Sequence, residues 1–139
     1  MVLGSGATTS VGGIGALVEL ARRAAEDSGW PSRADPTART TYRFGNGEQQ
    51  TAVARVSVPS EIAGRDGEVS FYVLDAQAPV FLGMDFLRRS RAVIDYGAGT
   101  VHFRAYSDRV YELRQLEGGH LAVRITTPVR RSLRRAHSW

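Results

Sequence analysis

The sequence predicts a small, mainly β domain that closes like a barrel and carries one or two short helices. Short apolar or alternating runs recur along its 139 residues, and turns that contain glycine separate most of them. An apolar content of 42% and a charged content of 23% are ordinary for a globular chain of this length. Many short strands joined by glycine turns are typical of β-barrels and related all-β folds.

The first third of the chain predicts a strand end, a tight loop and a helix. Residues 2–3 end an apolar strand, and the Gly, Ser and Thr residues of 4–10 indicate a loop. Over residues 14–25 apolar side chains recur at helical spacing, and Gly29 follows as a helix stop. The polar residues 28–40, with two prolines, predict a further loop.

The middle of the chain predicts paired strands. Residues 41–44 and 49–58 flank an Asn-Gly pair, which is a strong hairpin signal. Pro59 is expected to end the second strand. Residues 65–67 indicate a turn before the alternating strand 69–74.

The last third predicts a short strand, a short helix and two hairpins. The strand 80–82 ends at a glycine, and residues 84–90 then form one or two helical turns. The two hairpins pair 92–96 with 100–104 and 110–116 with 120–125.

The positive charge is confined to the C-terminus. All 18 basic residues are arginines, and residues 1–125 balance 14 of them against all 14 acids. The net charge of +4 therefore belongs to residues 126–139, which contain Arg130, Arg131, Arg134 and Arg135. We expect a disordered, solubilising tail, with weak non-specific binding to nucleic acid as the alternative.

Composition excludes several classes of site. Without cysteine there is no disulfide, no thiolate catalyst and no Cys-based zinc site, and the three histidines lack ligand spacing, so neither a metal nor a cofactor is expected. No apolar run approaches the ~20 residues that cross a bilayer, so no membrane contact is expected. With no signal peptide visible, an intracellular location is favoured and the compartment stays open.

Two motifs carry the functional information: VLGSGATTSV at residues 2–11 and VFLGMDFL at residues 80–87. Their order and spacing, followed by AVIDYGAGTVHF, resemble the retropepsin-like aspartic peptidases of retroviruses and LTR retrotransposons over roughly residues 1–105. In that family the first motif reads Asp, Ser or Thr, Gly, Ala after two hydrophobic residues. Gly4 occupies the position of the catalytic aspartate. The active-site loop continues with Ser5, Gly6, Ala7 and Thr8.

The resemblance assigns the remaining parts of the site. Gly45, Asn46 and Gly47 match the tip of the flap, the hairpin that closes over a bound peptide. Leu82 and Gly83 match the second motif, which packs under the catalytic loop and is followed by a short helix.

The family works as a homodimer in which each chain supplies one aspartate. The two carboxylates share a proton, so that one activates a water and the other hydrogen-bonds to the scissile carbonyl. The polypeptide substrate is held as an added strand. Gly4 has no carboxylate, so the resemblance implies an endopeptidase domain that is inactive as written. The alternative is a pseudoenzyme that uses the flap groove for peptide binding, or a dimerisation module.

The resemblance also implies a division of the chain. Residues 1–106 form the peptidase domain, from which the family's N-terminal strands are missing, and 126–139 form the tail. Residues 107–125 form an extra hairpin, which is a candidate replacement for the missing strands.

Three other carboxylates, those of Asp27, Asp85 and Asp95, are not expected to be catalytic. Asp27, Ser28 and Gly29 also read Asp-Ser-Gly, but they follow a helix, so a helix C-cap is the better interpretation. Asp85 lies in the first turn of the predicted short helix, where it favours the helix dipole. Like Asp95, it is expected to be structural.

Overall fold

The computed structural model describes residues 1–3, 9–43, 47–62, 65–116, 121–124 and 137–138. Within them the chain is mainly β, as predicted, with helices α1 (Ile14–Ser28) and α2 (Met84–Arg89). In chain order the strands are β1 (Val2–Leu3), β2 (Val11–Gly13), β3 (Arg33–Asp35), β4 (Thr41–Arg43), β5 (Gln49–Thr51), β6 (Ala54–Ile62), β7 (Arg65–Leu74), β8 (Phe81–Leu82), β9 (Ala92–Asp95), β10 (Thr100–Phe103), β11 (Val110–Glu112), β12 (Arg114–Gln115), β13 (Leu121–Ala122) and β14 (His137–Ser138).

The strands form three sheets. The largest has the order β12-β13-β1-β8-β2-β7-β6-β3, with β14 added in parallel to β7. The others are β11-β10-β9 and the hairpin β4-β5. Among the described residues no strand pair joins β12 to β3, so the large sheet is open and the predicted closed barrel is not observed.

In the described residues the main core includes side chains from both helices and from the two larger sheets, and a smaller cluster contains Val11, Ala52 and Leu74. Helix α1 packs on β6 and buries Leu17 and Ala24. Phe71 and Phe103 are completely or almost completely buried in the same cluster. Val123, which follows β13, joins them. Within the described residues no helix is long and apolar enough to span a membrane.

Several boundaries differ from the prediction for local reasons. The hydroxyl of Ser28 donates to the carbonyl oxygen of Ala24 at 2.5 Å, and α1 therefore continues three residues further than its apolar pattern. The expected loop 28–40 contains β3, which pairs with β6 although its side chains are exposed. An exposed strand of three residues has no alternating pattern to reveal it.

The β6-β7 hairpin is longer than predicted. Strand β6 passes through Pro59, and β7 already begins at Arg65, so that Ile62 pairs with Arg65 and the predicted 65–67 turn is wrong. The neighbouring β3 stops pairing with β6 at Ser57. Proline is tolerated in a strand where the edge needs no donor.

The predicted hairpin of 110–116 and 120–125 is divided between two sheets. Strand β11 pairs with β10, whereas β12 pairs with β13 in the large sheet. The N–H of Leu113, between β11 and β12, donates to the carbonyl of Gly99 at 2.8 Å and fixes the crossing point. The predicted strand 49–58 is likewise interrupted, at Ala52, which is buried.

Candidate functional site

The described residues contain the second motif and the flanks of the first. Leu82 and Gly83 are described, as is Gly47, whose φ of +84° suits a glycine turn. The predicted active-site residues Gly4, Ser5, Gly6, Ala7 and Thr8 lie outside the described residues, as do the predicted flap residues Gly45 and Asn46.

The two motifs lie side by side. Strand β1, which leads to Gly4, runs parallel to β8, and Leu3 is in register with Leu82. The N–H of Val2 donates to the carbonyl oxygen of Val80 at 2.9 Å. On its other edge β1 pairs with β13, which belongs to the hairpin predicted at 107–125. The strand that leads to residue 4 is therefore paired on both sides.

Gly83 touches the backbone of Thr9, which directly follows residues 4–8. A Cβ built on Gly83 would lie 2.3 Å from the carbonyl carbon of Thr9 and 2.4 Å from its oxygen. Real Cβ atoms do not approach backbone atoms so closely, so only glycine fits. Its φ of −85° is accessible to any residue, and the requirement is therefore one of space.

Ser10 joins the two motifs by hydrogen bonds. Its hydroxyl accepts from the N–H of Gly83 at 3.0 Å and donates to an oxygen of Asp85 at 2.9 Å. The same Asp85 oxygen accepts from the N–H of Phe86 at 2.7 Å. Ser10 is 1% exposed, so its hydroxyl satisfies a backbone donor that water does not reach. We call Thr9, Ser10, Gly83 and Asp85 the motif junction.

The β4-β5 hairpin contacts the same junction. The Tyr42 hydroxyl and the Thr9 hydroxyl form a short hydrogen bond. The Tyr42 ring meets Tyr72 edge to face, with 6.3 Å between centroids, and the Arg55 guanidinium lies 5.5 Å from the centre of the Tyr72 ring. Burial raises the pKa of Tyr42 above its usual value, although the bond to Thr9 acts in the opposite direction. The hairpin predicted as a flap thus contacts Thr9, which directly follows residues 4–8.

The Asp-Ser-Gly sequence of 27–29 and Asp95 lie at a helix end and in a turn. Gly29 caps α1 in the left-handed conformation, with φ of 75° and its N–H on the carbonyl of Ala25 at 2.8 Å, so the Asp-Ser-Gly of 27–29 is confirmed as a helix end. Asp95 accepts from the N–H of Ala98 at 2.9 Å in the β9-β10 turn. No group of acidic or histidine side chains in the described ranges could hold a metal ion.

A cavity of about 880 Å³ lies elsewhere, between α1, β1 and the strands β11–β13. Its walls include Leu20, Val80 and Leu113 but none of the motif junction. We therefore place the candidate site at the junction, where the two motifs converge, rather than at this cavity.

The sequence did not predict the parts played by Ser10 and Tyr42. Ser10 lies 75 residues from Asp85 and Tyr42 lies 33 residues from Thr9, so no local periodicity connects them. A polar residue just before a buried strand was the available signal for Ser10. In the comparisons with known proteins, no family model matches the chain and no curated protein matches it.

Proposed function

We propose that the chain is a retropepsin-like aspartic endopeptidase domain of retroelement type whose catalytic aspartate position is occupied by Gly4, so that it is inactive as written. The observation that carries the proposal is the junction of the two motifs. The strand before Gly4 runs parallel to β8. Gly83 packs against Thr9, which directly follows residues 4–8.

The order of elements supports the same proposal. Residues 4–8 follow β1, the β4-β5 hairpin contacts Thr9 directly after them, and a short helix begins directly after Gly83. This is the order of catalytic loop, flap, second motif and helix that the resemblance implies. Closure into the acid-protease barrel belongs to the proposal, because the described strands leave the sheet open.

The chemistry of the loop decides the activity. In a homodimer of this type the two aspartates share a proton and act as general base and acid on opposite sides of the peptide carbonyl. With glycine at position 4 neither copy supplies a carboxylate. Asp85 does not replace it, because one of its oxygens already accepts from Ser10 and from the N–H of Phe86.

A non-catalytic peptide-binding module is the second candidate. The absence of a side chain at Gly4 favours it. An extended peptide is held by main-chain hydrogen bonds, which need neither carboxylate. Under this alternative the β4-β5 hairpin closes over a ligand that is bound and released uncut.

Restoring the carboxylate tests the proposal. We expect Gly4→Asp to cleave a random peptide library at acidic pH, with inhibition by pepstatin. The Gly4→Asn variant is the matched control, because asparagine has nearly the same shape and cannot act as a general base. Loss of an essential base typically costs ~10²–10⁴ in rate, so the difference is easily measured by mass spectrometry.

The outcomes separate the two candidates. Cleavage by Gly4→Asp alone supports the peptidase site. Binding of library peptides by the unmodified protein, without cleavage by a folded, dimeric Gly4→Asp variant, favours the binding module. Neither binding nor cleavage by folded dimers contradicts both.

A further inference from the structure

The cavity of about 880 Å³ between helix α1 and strands β11–β13 has no role in the proposed function. We call it the helix-strand cavity. Small-molecule sites in proteins typically measure ~300–1,000 Å³, so its size is sufficient for a ligand. Its lining combines apolar side chains with charged ones, and the two together define the chemistry of the ligand that it fits.

Apolar side chains from three parts of the chain line the helix-strand cavity. Leu20 comes from α1, Val80 precedes β8, and Leu113 links β11 to β12. All three are half-buried and pack against the main core. Leu116 also lines the cavity and is 38% exposed. Because burial of apolar surface is favourable, this lining is stabilised when a hydrophobic group covers it.

The helix side of the cavity is electrically balanced. Glu19 lines it and accepts from Nη2 of Arg22 at 2.5 Å and from Nε of Arg23 at 3.3 Å. Its other oxygen accepts from Nε of Arg22 at 3.0 Å, and Arg22 also bonds to Glu26 at 2.5 Å. Two arginines and two glutamates therefore cancel on this surface, so it does not attract a charged ligand.

The strand side of the cavity carries an excess of positive charge. Arg114 on β12 and Arg124 after β13 line it together with Glu112 of β11, so two arginines and one glutamate leave a net charge of +1. Among the described residues neither arginine forms an ion pair. Guanidinium groups bind carboxylates through paired, charge-assisted hydrogen bonds. The strand side therefore favours an anion.

The two arginines are close enough to bind one group. Arg114 is in register with Ala122, and Arg124 follows Ala122 by two residues. Residues in such diagonal positions on neighbouring strands lie ~7–8 Å apart, within reach of long side chains. One carboxylate can thus accept hydrogen bonds from both guanidinium groups at the same time.

We propose that the helix-strand cavity binds an amphipathic monocarboxylate, an unbranched alkyl chain that ends in one carboxylate. The carboxylate binds Arg114 and Arg124, and the chain covers Leu20, Val80 and Leu113. A single negative charge matches the net charge of the strand side, whereas a small inorganic anion leaves the apolar lining uncovered. This site does not depend on the proposed function, because its lining and the motif junction share no described residue.

Titration with sodium octanoate, followed by amide chemical shifts, tests the site in the full chain. We expect saturable binding, with the largest shifts at the residues that line the cavity. From hexanoate to decanoate the affinity should rise about fourfold for each methylene that is buried. The uncharged control is 1-octanol, which has the same chain. It should bind about tenfold or more weakly than octanoate, because it cannot form charge-assisted bonds to the arginines.

Variants separate the charge from the apolar lining. Arg114→Gln and Arg124→Gln should each weaken octanoate binding about tenfold and leave 1-octanol binding unchanged. Arg104→Gln is the matched control, because it removes the same charge at an exposed position outside the lining, and it should bind octanoate like the unmodified protein. Ala16→Phe adds a ring from the helix side of the cavity and should weaken the binding of both ligands.

The outcomes decide the inference. Octanoate binding that is weakened by both arginine variants and by Ala16→Phe, but not by Arg104→Gln, supports it. Equal affinity for octanoate and 1-octanol, normal octanoate binding by Arg114→Gln and Arg124→Gln, or no saturable binding would each overturn it. Shifts at the cavity with an apolar peptide but not with octanoate would assign the cavity to a protein partner and overturn it as well.

Discussion

The two ends of helix α2 are stabilised in different ways. At its start the motif junction depends on a close backbone contact at Gly83 and on the buried hydroxyl of Ser10. At its end the β9–β11 sheet depends on apolar volume, with the Phe103 ring 5.6 Å from Phe86 and 5.7 Å from Tyr111 between centroids. The first region admits only glycine at position 83, whereas the second requires apolar bulk on one face of its sheet.

The largest effect is expected in the apolar region. Phe103→Ala removes a ring that is 1% exposed and leaves a cavity, so it should lower the free energy of unfolding by ~3–5 kcal/mol. Urea denaturation measures the change. Val93→Ala, on the exposed face of the same sheet, should cost no more than ~0.5 kcal/mol. Equal costs at the two positions would contradict the placement of the core.

At the motif junction, adding one methyl group should lower the free energy of unfolding. Gly83→Ala places a Cβ against the backbone of Thr9, which has no flexible end to move aside, and should cost at least ~2 kcal/mol of stability. Gly15→Ala is the control. A Cβ there meets nothing within 4 Å, and in helix α1 it should stabilise the protein by ~0.5–1 kcal/mol. If both substitutions proved neutral, the close contact would be wrong.

The hydroxyl of Ser10 should contribute less to stability than Gly83 does, and its loss should affect the amide of Gly83 in particular. Ser10→Ala leaves the buried N–H of Gly83 without an acceptor and should cost ~1–3 kcal/mol. Hydrogen exchange should show the amide of Gly83 losing protection ahead of its neighbours. Ser57→Ala, which breaks a half-buried bond to Ser70, is the matched control and should leave Gly83 protected.

The smallest effect concerns pH. Burial raises the pKa of Tyr42 in the folded protein, so its contribution to stability is complete below the unfolded value of ~10 and is lost as the pH rises through the folded value. Tyr42→Phe cannot ionise and should lose less stability over that alkaline interval. At neutral pH it should cost ~1 kcal/mol through the bond to Thr9. Parallel alkaline losses would contradict the burial of this ring.

Local signals predicted the parts of the fold that depend on local chemistry. The pairing of β4 with β5, the glycine turn before β10 and the end of α1 at Gly29 all lie where the sequence indicated. The sequence analysis made no prediction for residues 11–13, which form β2. Its partners β7 and β8 lie about sixty to seventy residues away, and no local pattern reports such pairing.

At the candidate site, too, the sequence predicted the local motif but not the contacts between distant residues. The motifs identified Gly83 as important, and the structure supplies the reason, which is the backbone of Thr9 at contact distance. The Ser10–Asp85 bond could not be anticipated, because it depends on the parallel pairing of β1 and β8 that brings distant residues together. The predicted tail of 126–139 lies outside the described residues except for β14, which pairs with β7.

The pH dependence of peptide cleavage by Gly4→Asp tests the central claim most directly. Two aspartates that share a proton require one ionised and one neutral carboxyl group, so kcat/KM should pass through a maximum at acidic pH and fall on both sides. We expect that profile from Gly4→Asp and no cleavage from Gly4→Asn at any pH. Equal cleavage by Gly4→Asn, or a folded, dimeric Gly4→Asp protein without acid activity, would contradict a retropepsin-like site at this junction.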